Sequence, residues 1–110
     1  MDAVRADVEK LVEKELKSAN QKFPMFRSDH EGYAVLKEEL EETEYEFDCI
    51  QGRIAELWRS VKCNLSSEWI MKINEVIVNR AINLACEAIQ VAAMSQKFID
   101  SQKERWGNHE

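Results

Sequence analysis

A run of acidic residues at positions 37 to 42 has the residue types and the spacing that metal chemistry requires. The run reads Lys37-Glu38-Glu39-Leu40-Glu41-Glu42. On a helix, Glu39 and Glu42 are three residues apart and project from neighbouring positions. Mg²⁺ prefers oxygen ligands, and two or three carboxylates suffice because the ion keeps waters or phosphate oxygens as its other ligands. The spacing therefore points to a divalent cation site.

The acidic run borders a row of apolar residues, since Glu39 falls about 40° from Thr43 around the helix axis. Carboxylates beside a packing surface repel one another and lose hydration, and a bound divalent cation removes both costs. Glu87 lies on a polar row of a later helix, where it is placed to complete the site. The alternative is a solvated helix face with Lys37 as a nearby cation, and the pattern alone favours that interpretation.

The elements that position these residues are predicted to be three long helices. The chain has only three glycines and one proline, and its apolar residues recur every three or four positions. The predicted helices span about residues 2–22, 29–61 and 67–102. Ser28 or Asp29 is expected to cap the second helix, and Ser66 or Ser67 the third. Gly52 lies inside the second helix and leaves a kink or a break there as an alternative, but the apolar seam resumes in phase beyond it.

The length of 110 residues predicts a single domain with a core at about residues 26–100 and a flexible tail at 103–110. The fold class is all-α, a long-helix bundle. Three helices that are each roughly 50 Å long enclose only a thin core. We therefore expect a homo-oligomer, a dimer or a dimer of dimers, in which copies of the chain pair their apolar seams.

Charge and cysteine usage exclude several classes of function. The formal net charge of −6 opposes binding to a nucleic acid polymer, which requires a basic face. The cysteines are odd in number and contain no CxxC pair, so we expect reduced thiols rather than disulfides or a zinc site. Neither a signal peptide nor a membrane-spanning apolar stretch is recognisable, and the expected location is the cytoplasm.

Two short motifs resemble those of the all-α MazG-like nucleotide pyrophosphohydrolases, in the form found in small phage and bacterial members. The segment Asp29-His30-Glu31-Gly32-Tyr33-Ala34-Val35, leading into the acidic run, is similar to that family's first motif, EExxE. Glu38, Glu39 and Glu42 are its acids. The second motif, ExxD, is matched by Glu87, but Gln90 stands where the family has Asp. The resemblance covers about residues 26–98.

The resemblance implies a Mg²⁺-dependent hydrolase, with Mn²⁺ as a possible substitute. Such an enzyme cleaves a nucleoside triphosphate between the α and β phosphates and releases a nucleoside monophosphate and pyrophosphate. Glu39, Glu42 and Glu87 are the implied metal ligands, and Glu38 orients water or a second metal. Gln90 offers a carbonyl oxygen to the metal but no negative charge, so the resemblance implies weaker metal affinity than an Asp would give.

Two further residues share the row of Glu87. Arg80 is a candidate contact for a substrate phosphate, and Asn83 for the substrate or for Glu87 itself. Their alternative roles are an internal salt bridge and a polar contact between helices. The change to Gln90 also keeps a second function open: a catalytically impaired relative that acts as a helical oligomeric interaction module or as a nucleotide sensor.

Overall fold

The structure, a computed structural model, describes residues 2–107 and contains three helices. These are α1 (Asp2–Lys22), α2 (Asp29–Lys62) and α3 (Ser67–Gly107), and no strand occurs among the residues that are described. The predicted all-α class is confirmed. The predicted bounds of the first two helices agree to within a residue, and α2 continues through Gly52 without a break.

The helix ends follow from local side-chain chemistry. Ser28 Oγ accepts a hydrogen bond from the backbone N–H of Glu31 (3.1 Å), and Ser66 Oγ accepts one from Trp69 (3.2 Å). Both serines are therefore N-caps. At the end of α2, Asn64 adopts a left-handed conformation with φ 54°. Leu65 N–H then donates to Ser60 C=O and Asn64 N–H to Val61 C=O, the hydrogen bonds of a Schellman motif.

The last helix is longer than expected, because α3 reaches Gly107 instead of ending near Gln102. Arg105 anchors this extra length: its guanidinium donates to the backbone C=O of Phe26 (2.8 Å) and pairs with Asp29. Residues 103–107 are therefore helical, and the flexibility of the tail stays a prediction. The remainder of the predicted tail, 108–110, lies outside the described residues.

The chain divides into two compact units, and both α2 and α3 run through each of them. The first, which we call the three-helix unit, contains α1, the part of α2 up to Leu40 and the part of α3 from Glu87 onward. The second, the hairpin unit, contains residues Glu41–Cys86. The prediction of one domain over residues 1–110 stays a prediction.

The three-helix unit contains a small apolar core. Phe26 and Ala93 are 6% and 0% exposed, and Met94 completes the buried cluster. The partly buried residues packed against it are Val12, Leu16, Ala19, Val35, Leu36 and Phe98. The connector before α2 is fixed to this core, because Phe26 N–H donates to Ser101 Oγ (3.0 Å).

A close contact between α2 and α3 occurs at Gly32. A Cβ atom built on this glycine would lie 2.5 Å from a ring carbon of Phe98, far inside an ordinary carbon–carbon contact of about 3.5–4.0 Å. Only glycine therefore lets the two helices approach so closely here. Gly32 precedes Glu39 by two helical turns, so the same close approach helps to place Glu39 beside α3.

The hairpin unit has almost no core. Its only residues that are buried in the described structure are Ser60 and Ile73. The predicted apolar seam of α2 has six positions in the hairpin unit. Three of them, Thr43, Ile50 and Leu57, are partly covered. The other three, Phe47, Ile54 and Val61, are exposed, and Trp58 lies exposed beside them. We call these four the exposed seam.

By length and composition, α3 is also apolar enough to cross a membrane. It contains an 18-residue window of mean hydropathy 1.3, of which 6% is buried. This finding corrects the expectation that no such stretch exists. A helix of a soluble protein whose apolar side chains pack against partner helices passes the same test, so the cytoplasmic location stays a prediction.

Candidate metal centre

Glu39 lies at the centre of the candidate site. One of its oxygens lies within 4.8 Å of an oxygen of Glu87, which reaches it from α3 within the three-helix unit. Glu42 follows one turn later on α2 and brings an oxygen within the same distance of Glu39. Glu39 and Glu87 are half-buried, whereas Glu42 is exposed. Within the three-helix unit the structure thus brings together Glu39 and Glu87, two of the three carboxylates that were predicted to hold the metal.

A cleft of about 500 Å³ adjoins Glu39 in the three-helix unit. Four carboxylates line it, those of Glu15, Glu31, Glu38 and Glu39. The side chain of Gln90 and the ammonium groups of Lys22 and Lys97 line it too. The cleft therefore combines acids suited to a cation with two positive groups, and its apolar wall is formed by residues such as Val35, Phe26 and Met94.

A larger groove, of about 940 Å³, runs between α1 and α3. Its apolar lining includes Val4, Val8 and Val12, and acidic residues and Arg5 line it as well. Because none of the predicted site residues lines this groove, we place the candidate site at the smaller cleft.

The predicted ligand Gln90 has a partner that the sequence did not suggest. Its side-chain nitrogen donates a hydrogen bond to a carboxylate oxygen of Glu15 on α1, 75 residues away in the chain. Both side chains are half-buried. Gln90 is therefore oriented by an acid from another helix, and that acid lines the same cleft as Glu38 and Glu39.

Lys97 is a second residue that the sequence analysis missed. It is 1% exposed, its Nζ lies 3.4 Å from the backbone oxygen of Phe23, and its ammonium lies 5.1 Å from the centre of the Phe26 ring. Burial lowers the pKa of Lys97, against an opposing effect of Glu31. Lys97 Nζ thus interacts with the chain segment that follows α1, where Phe23 C=O is an acceptor near a helix C-terminus.

Arg80 is held by another side chain in the hairpin unit. Its guanidinium donates to both oxygens of Glu46, at 3.4 and 3.3 Å, and this hydrogen bond raises the pKa of Arg80. The internal salt bridge, one of the two roles considered for Arg80, is therefore present. Asn83 is exposed. Contact of either residue with a substrate stays a prediction.

A signal for Glu15 was present in the sequence. Val8, Val12, Glu15 and Ala19 follow one another at steps of four, three and four, so Glu15 occupies a packing position of α1. A carboxylate at such a position requires a polar partner. The sequence does not reveal which helix supplies that partner, and Gln90 became identifiable only when α1 and α3 were seen together.

The three cysteines, Cys49, Cys63 and Cys86, are free thiols. Comparison with models of protein families, with curated proteins and with solved structures found no match to this chain. The likeness to the MazG-like enzymes therefore rests on the two motifs alone.

Proposed function

We propose that this protein is a Mg²⁺-dependent nucleoside triphosphate pyrophosphohydrolase. The observation that supports this function best is the meeting of Glu39 with Glu87, from two different helices, beside a cleft. Two motifs that are 45 or more residues apart in the chain thereby contribute to one cluster, as a shared metal would require. A helix face that is merely solvated has no need of this convergence.

The donor set fits a hard divalent cation. Mg²⁺ and Mn²⁺ favour carboxylate oxygens, and the neighbouring groups in this cluster are carboxylates. Mg²⁺ lies about 2.0–2.1 Å from its ligands, so oxygens on its opposite sides are about 4 Å apart. The oxygens of Glu39 and Glu87 lie within 4.8 Å of each other, a range that includes this separation. Glu39, Glu42 and Glu87 would hold the ion.

A bound metal ion would neutralise phosphate charge and acidify a water molecule. The protein's own groups divide the remaining work. The exposed carboxylate of Glu38 lines the cleft next to Glu39, and it accepts a hydrogen bond from the attacking water and orients it. Lys22 is an exposed ammonium on the same cleft and offers positive charge to a phosphate.

The test is release of pyrophosphate from a panel of ordinary and modified nucleoside triphosphates with Mg²⁺ or Mn²⁺. Glu39→Gln removes the central ligand while keeping its size, and we expect a loss of at least about 100-fold in kcat/KM. Glu41→Gln is the matched control, since Glu41 is an exposed acid of the same run and lies outside the cluster. No release by folded wild-type protein from any nucleotide would refute the proposed activity.

We also infer that a second copy of the chain covers the exposed seam. Phe47, Ile54 and Trp58 are 49%, 50% and 59% exposed, although large apolar side chains are normally covered in a folded helical bundle. Phe47 and Ile54 recur at the seven-residue interval of helices that pair lengthwise.

The alternative function, an interaction module without catalysis, is favoured by the same exposed seam. It requires self-association and no turnover. We expect Phe47→Glu to weaken or abolish the oligomer in sedimentation equilibrium, because it places a charge in the interface. Tyr45→Glu is the control, since Tyr45 is exposed on α2 but does not belong to the exposed seam. Equal masses for the two variants and wild type would contradict pairing through this seam.

A further inference from the structure

We propose that Glu15 is a positioning residue of the metal centre and supplies the negative charge that Gln90 lacks. This inference rests on the proposed function, in which Glu39, Glu42 and Glu87 hold the metal. Glu15 belongs to α1, outside the segment that resembles the MazG-like enzymes. The hydrogen bond from Gln90 and the shared cleft connect it to the site.

The first step of the argument is the orientation of Gln90. A side-chain amide is planar, with its nitrogen and its oxygen on different arms of one group. Because the nitrogen of Gln90 donates to Glu15, its carbonyl oxygen is directed away from Glu15. That oxygen is the atom of the side chain that can accept a hydrogen bond or bind a cation. Glu15 thereby fixes which atom Gln90 offers to other groups. A carbonyl oxygen is a suitable ligand for a hard cation.

The second step concerns charge. Gln90 is a neutral amide and contributes no negative charge to the cleft. Glu15 restores one negative charge one hydrogen bond away. It lines the cleft together with Glu38 and Glu39, so its field acts on the same space. Groups that orient and polarise a metal ligand typically change metal affinity by about 10–100-fold when they are removed.

The third step explains why the pairing is specific. An aspartate at position 90 would lie beside the carboxylate of Glu15, and two adjacent carboxylates repel each other unless a proton or a cation lies between them. Glutamine removes that repulsion and donates a hydrogen bond instead. Gln90 and Glu15 are thus two parts of one arrangement, in which α1 supplies the negative charge and α3 the amide.

The experiment measures Mn²⁺ affinity directly, by electron paramagnetic resonance, together with the melting temperature and hydrolysis. Glu15→Gln keeps a carbonyl oxygen that can accept the hydrogen bond from Gln90 and removes only the charge. We expect about 10-fold weaker Mn²⁺ binding with a melting temperature close to that of wild type. Glu13→Gln is the control, because it removes the same charge from an exposed position of α1 that does not line the cleft.

A second variant exchanges the two groups: Glu15→Gln combined with Gln90→Glu keeps one amide and one carboxylate in hydrogen-bonding reach and returns the charge to α3. We expect Mn²⁺ affinity to recover to within about 3-fold of wild type. Unchanged Mn²⁺ affinity in Glu15→Gln would overturn the inference. So would a loss of affinity that is fully explained by a fall in melting temperature, if the double variant does not restore either property.

These results separate the two proposals. If wild type hydrolyses a nucleotide and Glu15→Gln changes neither kcat nor Mn²⁺ affinity, the role of Glu15 is refuted and the proposed enzymatic activity is not. Binding of Mn²⁺ by wild type without hydrolysis would refute the enzyme, while the affinities would still decide on Glu15. Absence of Mn²⁺ binding by folded wild-type protein would refute both.

Discussion

Replacing Gly32 by alanine tests the close approach of α2 and α3 in the three-helix unit. The added methyl would lie 2.5, 2.6 and 2.8 Å from three ring carbons of Phe98. An ordinary carbon–carbon contact is about 3.5–4.0 Å, so the ring or the helix must move by roughly 1 Å. Overpacking of this kind costs about 1–3 kcal/mol. The greater helix propensity of alanine returns about 1 kcal/mol, which leaves a net destabilisation of up to about 2 kcal/mol.

Gly52→Ala is the matched control, because it makes the same change in the same helix with no atom within 4 Å of the new methyl. We expect it to stabilise the protein by up to about 1 kcal/mol. Urea unfolding at fixed protein concentration measures both variants. Combining Gly32→Ala with Phe98→Leu removes the ring and should reduce the cost of the alanine. Equal stabilisation by the two alanines would refute the close approach.

Two further predictions concern residues with unusual environments. The pKa of Lys97 is lower in the folded chain than in the unfolded one, so between the two pKa values the unfolded state binds more protons and stability rises with pH. Lys97→Met should therefore raise the free energy of unfolding at pH 7 and remove the part of its rise toward pH 10 that comes from Lys97. Urea midpoints measured across this pH range test both effects. A pH profile of stability that is the same in the variant and in wild type would argue against the buried ammonium. Asn64 has φ 54°, so Asn64→Gly should stabilise the protein by roughly 0.5 kcal/mol and Asn64→Val should destabilise it by about 1–2 kcal/mol. Thermal unfolding of both variants checks the order, and a valine variant as stable as the glycine variant would contradict it.

Helix positions could be predicted from the sequence because their causes are local. Apolar spacing, Pro24, and the capping serines Ser28 and Ser66 act within a few residues of the ends that they define. The end of α3 was missed for the opposite reason. Arg105 reaches back to the C=O of Phe26, 79 residues earlier, and no local pattern predicts such an anchor.

The candidate site was predictable only where its geometry depends on residues close together in the chain. Glu39 and Glu42 share a helix face by their spacing alone, and the resemblance supplied Glu87. The partners that cross between helices were not predictable: Glu15 for Gln90, and Glu46 for Arg80. Periodicity identifies a polar residue on a packing face, but the rotation of each helix against its neighbours decides which residue it meets.

The apolar seam of α2 is covered only in part within the hairpin unit. The regular steps of three and four along α2 predicted one continuous packing surface, but of its six positions in this unit only Thr43, Ile50 and Leu57 are partly covered. Phe47 and Ile54 stay 49% and 50% exposed, and each would contribute about 1.5–3 kcal/mol if a partner buried it fully. A two-helix unit with so little core would gain packing from the second copy that we propose. Because α2 also carries Glu39 and Glu42, such pairing would also steady the proposed metal ligands on this helix.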